Sequence, residues 1–305
     1  MRILLSLLFA LLLLSSCEEF FSTTVEADPP KYEPQLVFHL LLTDHDTAVS
    51  LHLTHSIGLL ETIRDESSLN VSGATVEWWQ EGKKVMDLLP RPGEPFIYEA
   101  GLSQPLKPGT TYEVRVAHPD YPSVRAVQVM PATFKSDVPR FTSQSNDPNS
   151  FGLHQVDIVV NDKAGEENFY AVEVVVPVYE VDVRYNSATM KYEYDTVGID
   201  YYPAYFDEFL DQNTVRGTGE VALISDQLFD GQEYKFQAKF RPSYYSSSNM
   251  LPFVARVRSI TKEYYRWSRS YFQRYDNEIE IFSEPTPVLN NLENGLGIFG
   301  LGTEN

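Results

Sequence analysis

The chain has 305 residues, 43 acidic against 24 basic side chains for a net charge of −19, an apolar content of 43% and one cysteine. A body this acidic is repelled by nucleic acids and by anionic lipid surfaces. A single cysteine excludes intrachain disulfides, paired-thiol redox chemistry and cysteine-ligated zinc. The length exceeds what one hydrophobic core usually organises, so two domains are expected.

The first residues read as an export signal. Arg2 supplies a positive start, Ile3 to Leu14 is an almost unbroken apolar run, and the small residues Ser15-Ser16 precede Cys17. The run is too short to remain as a membrane span, and no other window approaches 18 consecutive apolar residues. Leu14-Ser15-Ser16-Cys17 resembles the bacterial lipobox, which implies cleavage after residue 16 and lipidation of Cys17. Loss of Arg2 leaves 23 bases against 43 acids, a mature charge of −20. Glu18 and Glu19 resemble the acidic export signals of surface-exposed lipoproteins, which favours the outer face of the outer membrane. Residues 17–34 then read as a lipidated cysteine and tether, reaching roughly 55 Å if extended at ~3.3 Å per residue.

From Gln35 onward the pattern is β. Leu36–Leu42 is a nearly continuous apolar run, as for a buried strand, and Val49–Thr54 alternates strictly. Further strands are expected over 71–80, at Tyr112–Val116 and over 124–130, with turns at Glu81-Gly82-Lys83 and Lys107-Pro108-Gly109. This spacing predicts a β-sandwich over 35–133. Val71-Ser72-Gly73-Ala74-Thr75-Val76 and Leu106–Val114 are similar to the transthyretin-like or carboxypeptidase-regulatory (Ig-like) sandwich, which implies a non-catalytic scaffold.

The polar stretch 136–150 reads as a connection, and 134–305 as a second antiparallel β domain. Tyr179–Tyr185 and Met190–Asp195 alternate strictly around Asn186-Ser187-Ala188, predicting a hairpin with one aromatic and one charged face. Residues 201–213 and 241–250 read as long tyrosine-rich loops. Their tyrosines, Tyr201, Tyr202, Tyr205, Tyr244 and Tyr245, are the candidate partner or ligand surface. Ile260, Tyr264, Trp267, Tyr271 and Tyr275 recur at helical spacing, predicting an amphipathic helix over about 261–276. The bases around it, Arg256 to Arg274, are expected to lie against the protein's own acids.

Asp226–Tyr234, Glu263–Trp267, Phe282–Val288 and Asn290–Gly300 follow in an order that resembles a Bacteroidetes outer-membrane lipoprotein family, domain of unknown function 4249. The resemblance implies a lipid-anchored protein working with a TonB-dependent transporter, and it attaches no catalytic residue or cofactor to the chain.

The chemistry-bearing motifs are sparse. Gly295–Gly300 fits GxGxxG but lacks the following helix and acid that a dinucleotide site needs, so it reads as a turn or closing strand. Four histidines lie within 39–55 near Asp44 and Asp46, yet His52 and His55 are odd-spaced on a strand, and Asp44-His45-Asp46 reads as a polar turn rather than a metal site. Trp78-Trp79 invites a sugar-stacking reading that core packing explains as well. The expectation is a non-enzyme without cofactor or metal: a binding component of an envelope uptake system. A structural or adhesive surface protein and an extracellular glycan hydrolase are the alternatives.

Overall fold

A computed structural model describes residues 32–58, 61–63, 65–143, 152–243, 252–277 and 286–305. Cys17, the tether, Tyr244 and Tyr245 lie outside the described residues. The elements below all fall in one unit, residues 34–57 and 63–305.

The chain is mostly β, with two sheets and one helix. The smaller sheet takes β2 (Ala48–His52), β6 (Glu94–Gly101), β5 (Lys83–Arg91), β4 (Thr75–Gln80), β7 (Thr111–His118) and β8 (Tyr121–Val129), in that spatial order and antiparallel throughout. Strands β5 and β6 have no clear sequence signal. Pro90 and Pro95 interrupt the alternation, and a register shift beside Pro90 absorbs the donor that proline lacks.

The second sheet runs β10 (Arg140–Ser143), β11 (His154–Asn161), β16 (Glu233–Pro242), β13 (Lys191–Phe209), β12 (Phe169–Asn186), β17 (Val254–Ile260), β18 (Leu296–Glu304), β1 (Leu36–Thr43) and β3 (Thr54–His55). Short strands β9 (Lys135–Ser136), β14 (Thr214–Arg216) and β15 (Ala222–Ser225) pair beside it. All pairings are antiparallel except β1 with β18, which run parallel with Phe38 opposite Gly297 and Leu40 opposite Phe299. A division at 133/134 leaves this pairing out, because no local pattern ties residue 38 to residue 297.

That pair decides where the cores sit. Leu36, Phe38, Leu40 and Leu42 of β1, with Phe299 and Leu301 of β18, bury against Val76, Trp78, Val114, Val116 and Val124 of the smaller sheet. Trp78 is wholly inside, stacked on Tyr112, whereas Trp79 lies under the Arg115 guanidinium 3.6 Å from its ring centre. Neither tryptophan is arranged to stack on a sugar. A second core lies between the even-numbered side of β12 (Tyr170, Val172, Val174) and Val156, Ile158, Phe236 and Phe240.

The odd-numbered side of β12 carries α1, Lys262–Asn277, one residue later than the period predicts at each end. Tyr264, Tyr265 and Trp267 bury against Phe169, Ala171 and Ile298. Tyr271 and Tyr275, expected on the packed face, are exposed at 44% and 63%, because they border an open cleft that parts this end of the helix from Val37 and Leu296 of the sheet. Several of the nearby bases meet the protein's own acids, as expected: Arg258 bonds Glu304 at 2.9 Å and Glu173 at 3.3 Å, and Lys262 pairs with Glu167.

The GxGxxG run is β18 itself, and close packing accounts for its glycines. A Cβ on Gly297 (φ +120°) would lie 1.9 Å from the Phe38 carbonyl oxygen, and one on Gly300 2.9 Å from Tyr264. The strand passes between β1 and the helix only because these positions have no side chain.

Candidate partner-binding arm

Tyr201, Tyr202 and Tyr205 do not sit in a loop. They belong to β13, which continues to Phe209, and β16 likewise extends to Pro242. Turn-forming Pro203 and the acids at 207–208 mask the alternation, but Ala204 and Phe206 point into the second core and hold the segment extended.

β12 and β13 form one hairpin of 18 and 19 residues. β17 pairs with β12 only over Tyr170–Val175, and β16 with β13 only over Ala204–Phe209. Between these limits and the turn, among the described residues, the ribbon is two-stranded for about 35 Å at ~3.3 Å per residue. The turn is tied by Asn186, whose Oδ1 accepts from the Ala188 and Thr189 amides at 3.0 and 3.1 Å, with Met190 taking a left-handed φ of +53°.

Register sorts the arm's side chains onto two faces. Pairs Pro177–Tyr201, Tyr179–Ile199, Val181–Thr196, Val183–Tyr194 and Tyr185–Tyr192 share one side, and a bulge at Val197 keeps the phase. No charge lies on it. All seven charged residues between 176 and 203 point the other way: Glu180, Asp182, Arg184, Lys191, Glu193, Asp195 and Asp200. Tyr192 and Tyr194 expose 63% and 68% of their surface, and Tyr185 and Tyr192 touch across the strands at 5.2 Å. Tyr201 and Tyr205 continue this side onto the body, where Arg256 lies 4.8 Å above the Tyr201 ring. Tyr202 faces the charged side. The predicted tyrosines are thus split between two faces, and the larger aromatic surface is the hairpin's.

A family model described as a domain of unknown function, DUF4249, matches residues 22–305. The chain belongs to this family. No curated protein matches it.

One segment that carries the DUF4249 resemblance, Asp226–Tyr234, is structural in this chain. Asp226–Tyr234 forms a 3₁₀ turn, Asp226–Leu228, feeding β16. Gly231 has φ +70°, and a Cβ there would meet that of Ala164 at 2.4 Å. The turn gathers Asp162, Asp226 and Asp230, whose carboxylate oxygens come within 4.8 Å of one another. Each carboxylate has a neutral donor: the Tyr170 hydroxyl and Gly231 amide to Asp162, the Asn168 amide to Asp226, and the Gly165 amide to Asp230. Burial, then the charges of Asp162 and Asp230, raise the pKa of Asp226 above the ordinary aspartate value. Three such carboxylates are the donor type of a hard divalent cation. Their 68-residue separation hides them from sequence.

The histidines near the N-terminus do not converge. His39 tilts against Trp267 at 5.3 Å, and the surrounding protein lowers its pKa. His52 Nε2 meets Asn70 Oδ1 at 2.8 Å, and His55 contacts the Ser56 and Ser68 carbonyls. Asp44 and Asp46 are structural: Asp46 accepts from the Thr43 amide, and Asp44 from the amide of Glu304 on β18. A cleft of about 440 Å³ lies beside His39 and Trp267, bordered by Tyr271 and Tyr275. Among the described residues, no helix is long and apolar enough to cross a membrane.

Proposed function

We propose that this protein is a non-catalytic outer-membrane lipoprotein, anchored through Cys17 and exposed at the cell surface, that serves as a binding component of an envelope uptake system beside a TonB-dependent transporter. The observation that carries this reading is the arm. A two-stranded ribbon is at best marginal alone in water, and this one holds its aromatic side open rather than folding it onto the body. An exposed apolar face of this size supports reading the arm as a binding surface. The family match along 22–305 takes in body and arm together and so supports reading those two as one functional unit.

The test is to express the tagged, lipidated chain in its native host and extract it in mild detergent. A stoichiometric outer-membrane barrel in the eluate supports the reading, and a protein that elutes alone contradicts it. Self-association would favour the adhesive reading instead, and glycan turnover the hydrolase. The anchor is tested separately. Cys17→Ser is expected to move the protein from the detergent to the aqueous phase on partition, and retention in detergent would contradict lipidation there.

A further inference from the structure

We infer that the arm docks by its tyrosine side alone, against an uncharged apolar surface of a folded protein partner, with its acidic side left in water. The inference rests on the binding role proposed above and specifies its contact. Three observations carry it.

First, charge is segregated completely along the ribbon. Five acids and two bases lie on one side and none on the other. Any partner surface facing Tyr185, Tyr192 and Tyr194 therefore meets no charge to compensate, and a charged residue there would be desolvated without a counterion. The complementary surface is uncharged.

Second, the area suffices. Taking ~200 Å² for a whole aromatic side chain, the four tyrosines of the uncharged side, Tyr179, Tyr185, Tyr192 and Tyr194, leave roughly 450 Å² open, whereas Tyr201 and Tyr205 lie beside Arg256 and Arg241 on the body. Val183 and Ile199 bring the face to roughly 600 Å², the lower limit of what a standard interface takes from each partner. The exposures behind this range from 40% at Tyr179 to 68% at Tyr194. Tyrosine is also among the residues in which binding energy concentrates.

Third, charge disfavours the other occupants. A second copy brings another cleaved body of net charge −20, 23 bases against 43 acids, against this one. A bilayer surface is anionic or zwitterionic and attracts aromatic faces flanked by lysine and arginine, whereas the arm is net acidic. An uncharged protein surface incurs neither penalty.

The test places a photoreactive residue in the full-length lipidated chain, at Tyr194 in one variant and at its neighbour Asp195 in another, and irradiates native membranes. The adduct is then identified by mass. In parallel, a Tyr192→Lys/Tyr194→Lys pair and a Glu193→Lys/Asp195→Lys pair are purified at low and at 0.5 M salt, with the melting temperature of each confirming that the body is folded. The expected result is an adduct to the co-purifying barrel from position 194 and not from 195. The tyrosine pair should lower recovery of that barrel at least about tenfold. Reversing the acids, or adding salt, should change recovery less than about twofold. Barrel recovery that falls with salt or with acid reversal, or an adduct from 195 alone, overturns the inference while leaving the binding role standing. An adduct at twice the chain mass assigns the face to a second copy, and one to lipid assigns it to the bilayer. Either overturns the inference. Absence of the barrel from every preparation overturns the binding role itself.

Discussion

At the residue scale, the decisive positions are those where one atom more or one charge less has no room. Gly297 combines φ +120° with a Cβ position 1.9 Å from a backbone oxygen. Gly297→Ala is therefore expected to cost roughly 3 kcal/mol or more, from left-handed strain and overlap together. Gly109→Ala, with φ +74° but open space, should cost only about 1 kcal/mol. Denaturant melts of the two variants check the contrast, and equal losses would contradict it. Glu113 is buried, which by itself pushes its carboxyl up, but Arg115 and Arg125 bonding to it at 2.5 and 2.6 Å prevail and hold it below the ordinary glutamate value. A depressed folded pKa contributes stability above the ordinary value of 4.5 that is lost as pH falls through the folded value. Stability below about pH 4.5 should thus fall more steeply in the parent than in Glu113→Gln. Asp226 has the opposite sign. Its raised pKa means the fold loses stability as pH rises from the ordinary 3.8 through the folded value. Asp226→Asn, which keeps an oxygen for the Asn168 amide, should melt no lower than the parent at pH 7. A clear fall in melting temperature would mean that the charge is compensated, as by a bound cation.

At the scale of the element, the helix and the hairpin differ in what sequence reveals. Ile260, Tyr264 and Trp267 set a helical period strong enough to place α1 within one residue at each end. The period carries no information on whether the helix closes onto the sheet along its whole length, and Tyr271 and Tyr275, beside an open cleft, are exposed against expectation. Trp267→Ala is expected to cost ~3–5 kcal/mol and Tyr275→Ala less than ~0.5 kcal/mol. Trp267→Phe should fall well short of the alanine loss, because Trp267 Nε1 is buried without a hydrogen-bond partner and its removal relieves a desolvation cost. Thermal melts of the three variants check the order. Alternation around Asn186 likewise shows both faces of the hairpin. What it cannot show is that β16 and β17 stop short, since strand pairing is non-local, and that is what makes a hairpin an arm. Strands β5 and β6 escape for the reverse reason: prolines erase a pattern that long-range pairing restores.

On the scale of the whole molecule, the chain's two ends build its centre. β18 contributes Phe299 and Leu301 to the core under β1 and Ile298 to the contact with α1, so the final residues belong to two cores at once. Gly295–Gly300 reads in sequence as a turn or closing strand, but its partner does not show there, because nothing local places the Phe38 carbonyl beside Gly297. At the base of the arm Ala204 and Phe206 enter the second core while Tyr201 and Tyr205 stay outside. An amphipathic ribbon held on such a body suits the proposed role of binding a partner. The most direct measurement compares the native lipidated chain with one in which residues 180–198 are replaced by an Asn-Gly turn joining Tyr179 to Ile199, a connection that suits a two-residue hairpin. The arm contributes little to either core, so the two proteins should melt within a few degrees of each other. The account predicts that the outer-membrane barrel co-purifies with the full chain and is lost from the shortened one. Equal recovery of the barrel with both would contradict it.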